Sequence, residues 1–440
     1  MRLQGTMTIN SAGHLVIGGC DTVELAQEFG TPLLVIDEAC LRERCRAFRK
    51  AFGEGAVIYA GKALLMQVIC RIVAEEGLGL DVVSGGELYT ALQAGFPPER
   101  LYFHGNNKTP EELDQALAAG VGRIVVDNFR ELELLSALAG RNGHRPVKVL
   151  LRLTPGIEAH THHYIRTGQI DSKFGFVLGN GQADEAVARV LACSALEMVG
   201  LHCHVGSQIF SLEPYAEAAA VMMDYAAQIH RRTGLAIREL DLGGGFGIYY
   251  TAGDEPRLPE EYARVIRKVV VEKAKAYGLP VPRILVEPGR AIIGPAGTTL
   301  YTVGSIKEIP GVRKYLAVDG GMADNIRPAL YQARYEALLA NKADQPVEER
   351  VSITGKCCES GDMLIWDIWL PRANPGDILA VSCTGAYCYP MASNYNRLPR
   401  PAVVLVGDGR AELIGRRETY ADLLRLEVVP PRLQPSQAAG

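Results

Sequence analysis

Between about residue 33 and residue 290, short apolar, β-branched runs alternate with amphipathic segments, and this alternation constrains the fold more tightly than any other feature of the chain. The runs are AVIYA (56–60), GLDVV (79–83), LYFHG (101–105), RIVVD (123–127), VKVLLRL (147–153), MVGLHCHVG (198–206), LDLGGG (240–245) and RILVEP (283–288). Between them lie stretches such as PEELDQALAAG (110–120) and PEEYARVIRKVVVEKAKAYG (259–278). Strands that are apolar throughout are buried on both faces, and regular strand–helix alternation makes their pairing parallel. About eight such units in roughly 250 residues predict an α/β fold built on a (β/α)8 barrel, in preference to an open doubly wound sheet.

After about residue 295 the texture changes. TTLYTVGSIKEI, KYLAVD, EERVSITG, DILAVSC and PAVVLVGDG follow at close spacing with Gly, Pro and Asn turns, which predicts a second, mostly antiparallel β domain. The strand-like HLVIGG near the N-terminus is expected to join it. The resulting division is a barrel over 33–290, a β domain from 1–32 and 291–428, and a flexible tail over 429–440. No linker marks the boundary, so the two domains are expected to pack tightly.

Composition narrows the function. Lys+Arg 46 against Asp+Glu 50 gives a net charge of −4, without the basic face that nucleic acid or an anionic membrane would need. No run approaches 18 apolar residues, and the N-terminal stretch has no uninterrupted apolar core, so neither a membrane span nor an export signal is expected. Ten cysteines without a CxxC pair make neither a disulfide scaffold nor a structural zinc site, and a reducing cytoplasm is the expected location.

In a (β/α)8 barrel the active site lies at the C-terminal ends of the strands. There this chain carries Lys62, Asp81, His104, Asp127, Asn128, Arg152, His202, His204, the glycines 243–245, Glu287 and Arg290. Each has an ordinary reading: Lys62 as a solvated loop residue, His202 and His204 as core histidines, EPGR as a turn with a surface ion pair. Their convergence on one barrel mouth is what demands a chemical explanation. A glycine-rich loop beside an arginine suits one phosphate. A lysine can capture a carbonyl cofactor, and a glutamate at a pyridine nitrogen makes that ring an electron sink. Lysine, phosphate cradle, acid and stacking histidine together point to pyridoxal 5′-phosphate. Zinc on the His202/His204 pair is the competing reading, but no third and fourth ligand is evident and no metal is expected. In the second domain, Cys358 and Glu359 in GKCCESGD, with Arg327, Tyr331 and Tyr387, form a further candidate cluster, Cys358 reading as an exposed thiol able to donate a proton.

All of these residues except Asp127, Asn128 and Arg152 sit in YAGKA, DVVSGGEL, HGNNK, GLHCHVGSQIF, LDLGGGFG, VEPGR, DGGMADNIRPALY, CCESGD and GAYCYPMASNYN. As a set, the motifs resemble the fold-type III pyridoxal-phosphate decarboxylases over nearly the whole chain. THHYIRTGQIDSKFGF (161–176) is most similar to the diaminopimelate decarboxylase branch. The resemblance implies that Lys62 carries the cofactor as a Schiff base and that His204 stacks on its ring. It implies cofactor contacts from Asp81, Ser207, Gly243, Gly244, Gly245, Pro288, Gly289 and Arg290 and from Tyr387, with Glu287 on the pyridine nitrogen. Substrate contacts are implied for Arg290, Arg327, Tyr331, Glu359 and Tyr387, with Cys358 as the proton donor. Cys358 and Glu359 are implied to enter the site of a neighbouring subunit, so a homodimer is expected. The implied reaction converts meso-2,6-diaminopimelate, a small amino-acid substrate, to L-lysine and CO2. Lys356-Cys357 before CESGD departs from the uncharged residues expected there. Ornithine, lysine or arginine decarboxylases of the same fold, a racemase and an inactive binding homologue are the rival readings. The paired Arg290 and Arg327 argue against substrates that lack a second carboxylate.

Overall fold

The computed structural model describes residues 1–141, 146–156 and 172–434. Residues 161–171 of the THHYIRTGQIDSKFGF motif and 435–440 of the expected tail lie outside the described residues. Residues 429–434 are described and include a short 3-10 turn at Pro431–Leu433.

Eight parallel strands form the barrel: β1 (Ile58–Ala60), β2 (Gly79–Val82), β3 (Leu101–Phe103), β4 (Arg123–Val126), β5 (Val147–Thr154), β6 (Leu196–His202), β7 (Glu239–Asp241) and β8 (Arg283–Leu285). Each pairs with its neighbour in chain order. A parallel bridge between Val57 and Val286 brings the last strand back to the first. Ile58, Tyr102, Val125, Leu150, Val199 and Leu285 form a separate buried cluster drawn from six strands. Alternate positions such as Tyr59 and Leu80 belong to the larger core packed under the helices.

The helices begin where the chain supplies caps. Thr109 and Glu112 form a capping box ahead of Pro110–Ala119, which Gly120 ends in the left-handed conformation. Ser84 accepts from the Glu87 backbone N–H at the start of Gly85–Gln93.

The second domain is a nine-stranded, mostly antiparallel sheet in which Gly297–Ile309 pairs with Leu33–Asp37, Arg313–Val318 and Ile378–Ser382. Leu33–Asp37 corrects the expected boundary at residue 33. It pairs antiparallel with Gly297–Leu300 and parallel with Ala402–Val406, so it is a strand of the second sheet. Asp37 then caps the helix Glu38–Phe52 by accepting from the Cys40 backbone N–H. The N-terminal strands Thr8–Ile9, Leu15–Ile17 and Cys20–Asp21 form their own three-stranded sheet and share a core with Leu33, Val35 and Leu300. One continuous apolar core joins Tyr59 and Ile248 of the barrel to Tyr301 and Val381 of the β domain. The two domains therefore pack as tightly as the missing linker suggested.

Candidate active site

Strand β1 ends in the 3-10 turn Gly61–Ala63, which lifts Lys62 over the C-terminal mouth of the barrel. There a cavity of about 760 Å³ opens between the two domains. Lys62, Asp81, His204, Ser207, Gly244, Gly245, Glu287, Pro288, Gly289, Arg290, Arg327, Tyr331 and Tyr387 all line it. The Lys62 side chain presents its surface to the cavity while protein surrounds it on every other side. Burial works against its charge, but Tyr387, Asp81 and Glu287 more than offset this and push its pKa up.

Glu287 follows β8 and is 5 % exposed. Its Oε1 lies 2.8 Å from His104 Nε2 and 3.4 Å from His202 Nε2. These contacts are close but poorly aligned, so Oε1 has no true hydrogen-bond partner. Burial alone would raise its pKa, yet the two imidazoles hold the carboxyl well below the usual carboxylate range. Asp241 and Asp81 border the same carboxylate and move the other way, burial being the first cause and Glu287 a further one. The negative charge is thereby concentrated on Glu287. Burial drives His202 down to about 4, so its ring is neutral.

Alternation along the chain separates His202 from His204. His202 joins His104 and Glu287, whose ligand atoms lie within 4.8 Å of one another, the one such group among the described residues. His204 is not part of it, so HxH is not a chelating pair. Burial and the nearby Lys62 and Arg152 hold the His204 ring neutral, and its Nδ1 accepts from the Gly244 backbone N–H at 3.1 Å. The three glycines are required by close packing. A Cβ on Gly244 would lie 2.3 Å from the Glu287 carbonyl oxygen, and Gly245 has φ +99°. Gly243 is buried beneath the loop, outside the cavity lining.

Arg290 donates from Nη2 to Ser207 Oγ at 2.9 Å and from Nη1 to Tyr250 Oη at 2.8 Å. Its buried Nε has no partner. Arg327 reaches the same phenol from the second domain at 3.0 Å. Tyr387 crosses the boundary too: its backbone N–H donates to the Ala63 carbonyl at 2.9 Å, and its ring lies 4.9 Å from the Arg290 guanidinium carbon. It holds φ +61°, a strained conformation for a tyrosine and one that accumulates at functional sites.

Cys358 and Glu359 are not brought to this cavity. Both are exposed, and the Cys358 backbone N–H donates to Asn396 Oδ1. Tyr250 and Arg334 were not singled out from sequence, because neither lies in a distinctive motif, whereas Asp241 lies inside LDLGGGFG and was passed over for the glycines that follow it.

The donor set fits a phosphorylated pyridine aldehyde. Lys62 supplies an amine in the cavity, and the unpartnered Glu287 Oε1 suits a protonated ring nitrogen. Ser207 accepts from Arg290 and keeps its own hydrogen for an anion. Residues 38–294 match the family model described as pyridoxal-dependent decarboxylase, pyridoxal binding domain. The chain is 55% identical over 432 residues to diaminopimelate decarboxylase of Bacillus subtilis, covering 97% of this chain and 98% of that one. The chain belongs to the diaminopimelate decarboxylase family. Another member, from Mycobacterium tuberculosis, is 48% identical over 431 residues, covering 96% of each chain. The crystal structure of the M. jannaschii diaminopimelate decarboxylase in complex with L-lysine superposes with a TM-score of 0.91 at 36% identity, covering 98% of this chain and 99% of that one. The (β/α)8 barrel with its appended antiparallel domain is thus the architecture of this decarboxylase family.

Proposed function

We propose that this chain removes CO2 from the D-centre of meso-2,6-diaminopimelate and releases L-lysine, with pyridoxal 5′-phosphate as its cofactor. One observation carries the reading. Two guanidiniums, Arg290 and Arg327, converge from different domains on the cavity that also holds Lys62. Among the described residues, the lining carries six cationic side chains, Lys62, Arg152, Lys173, Arg290, Arg327 and Arg334. Only three carboxylates, Asp81, Asp254 and Glu287, face them. That excess of positive charge suits a phosphate together with a substrate bearing two carboxylates.

When bound, the cofactor supplies an electron sink for the carbanion that loss of CO2 leaves. The remaining work belongs to the chain. Lys62 would hold the cofactor through its side-chain amine, the one lysine amine among the described residues beside Glu287 and His204 in the cavity lining. Glu287, kept anionic, would hold a proton on the ring nitrogen, and the neutral His204 would face the ring. Ser207, Gly244, Gly245 and the Pro288–Arg290 segment would take the phosphate, while Asp81 and Tyr387 would border the ring. Arg327 and Tyr331, with Arg290, take the distal carboxylate. Fixed charges that line a cavity largely walled by protein count for more than they would in water.

Cys358 is the proton donor to the substrate carbon, and Glu359 contacts the substrate, both delivered by a second copy of the chain. Their exposed loop lies outside the cavity of its own chain, and the strand that follows it carries Trp366 and Trp369, 59% and 58% exposed. Large exposed aromatic side chains of this kind suit a subunit interface. The expected location is the cytoplasm. All ten cysteines are unpaired, and no helix among the described residues is long and apolar enough to cross a membrane.

The test is incubation of the holoenzyme with meso-diaminopimelate, L-lysine or L-ornithine separately. CO2 and L-lysine should appear in equal amounts from the first. The other two, leaving buried arginines without an anion, should react about a hundredfold more slowly or worse. Rates within about tenfold of one another would contradict the carboxylate reading.

A further inference from the structure

Tyr250 lies five residues beyond the glycine loop, 6% exposed and facing the cavity. Its oxygen receives hydrogen bonds from Arg290 Nη1 at 2.8 Å and from Arg327 Nη1 at 3.0 Å. A phenol offers two lone pairs and one hydrogen. Both lone pairs are taken by cations, and among the described residues no acceptor is paired with the hydrogen. Arg290 opens the short helix after β8, whereas Arg327 opens the helix Arg327–Tyr331 in the second domain. Tyr250 is therefore the one oxygen, among the described residues, on which both arginines meet. Its ring is held edge-on against Tyr335, with centroids 5.4 Å apart. Tyr335 in turn accepts from Arg327 at 2.5 Å. Two like charges gathered on a neutral oxygen repel each other unless an anion joins them.

We infer that Tyr250 is a specificity-determining residue: it sets Arg327 in register with Arg290 and gives its own hydrogen to the distal carboxylate of the substrate. The inference rests on the reading of Arg327 as the carboxylate ligand and extends it to a residue that no motif marks. The ligand class is an α-amino acid whose carboxylate lies at the end of the chain remote from the reacting carbon. A diamine of the same length would gain nothing from the hydroxyl.

Tyr250→Phe removes only that oxygen and keeps the ring against Tyr335. The test compares inhibition of the holoenzyme by L-lysine, which keeps the carboxylate, and by pentane-1,5-diamine, which lacks it. In Tyr250→Phe the inhibition constant of L-lysine and the KM of meso-diaminopimelate should each rise about tenfold or more, with kcat changing much less. The constant for pentane-1,5-diamine and the bound-cofactor spectrum should stay as in the unaltered enzyme. Equal weakening of both ligands, no weakening of either, or loss of the cofactor would overturn the inference. Arg327→Ala separates it from its premise. If that variant binds L-lysine normally, the carboxylate reading itself fails. If Arg327→Ala weakens L-lysine and Tyr250→Phe does not, only the role of Tyr250 falls.

Discussion

The backbone N–H of Tyr387 donates to the carbonyl oxygen of Ala63 at 2.9 Å, tying the β domain to the very turn that presents Lys62. With the apolar core running unbroken between the domains, neither can open without exposing the other's buried surface. Calorimetry should therefore give a single endotherm. Two separated endotherms would mean that the domains unfold independently and that this junction does not couple them.

Asp324 provides a pH test of stability. It accepts hydrogen bonds from Tyr301 and from the Gly321 backbone, yet burial, with Asp362 and Asp319 nearby, raises its carboxyl to about 7. A carboxyl raised above its unfolded value binds its proton more tightly in the folded state. Its contribution is present at low pH and is lost as pH climbs from the ordinary carboxyl range towards about 7. Asp324→Asn should flatten the fall in stability between about pH 5 and pH 7 by up to ~1 kcal/mol per pH unit. Urea denaturation at several pH values measures this. Parallel curves for the two proteins would show that Asp324 does not titrate in this range.

Glu287→Gln keeps the volume and removes the charge that His104 and His202 stabilise. Loss of one preorganised electrostatic group costs about 10²–10³-fold in kcat, and that range is the expectation here with the cofactor still bound. An unchanged kcat would show that the anion does not govern the ring.

Most of the barrel was legible because its strands are apolar on both faces and end in polar residues. The same rule misplaced Leu33–Asp37. The boundary at residue 33 put it in the barrel, whereas its partners lie more than 260 residues further on, at Gly297–Leu300 and Ala402–Val406. The cavity lining was readable for the same reason as the barrel, since residues such as Lys62 and Glu287 follow strand ends directly. Tyr250 was not readable: its importance arises from Arg327, 77 residues away, and no local pattern encodes that meeting. The His104–Glu287 contact is likewise a product of barrel closure, which brings the ends of β3 and β8 across the lumen. Cys358 and Glu359 were named from their motif, and their own chain leaves them outside the cavity.

A shared site makes a prediction that a self-contained one does not. Lys62→Ala and Cys358→Ala proteins should each be nearly inactive. Dissociated and reassociated together, they should form hybrids in which one of the two sites carries neither lesion, and activity should return in part. No recovery in verified hybrids would mean that Cys358 serves its own chain or none.

The central claim is that Lys62 is the amine that holds the cofactor in this cavity. Reduction of the holoenzyme with borohydride, followed by digestion and mass spectrometry of the modified peptide, tests it directly. The account predicts a single pyridoxyl label, on Lys62 within YAGKA. Labelling of any other lysine, with Lys62 unmodified, would contradict it.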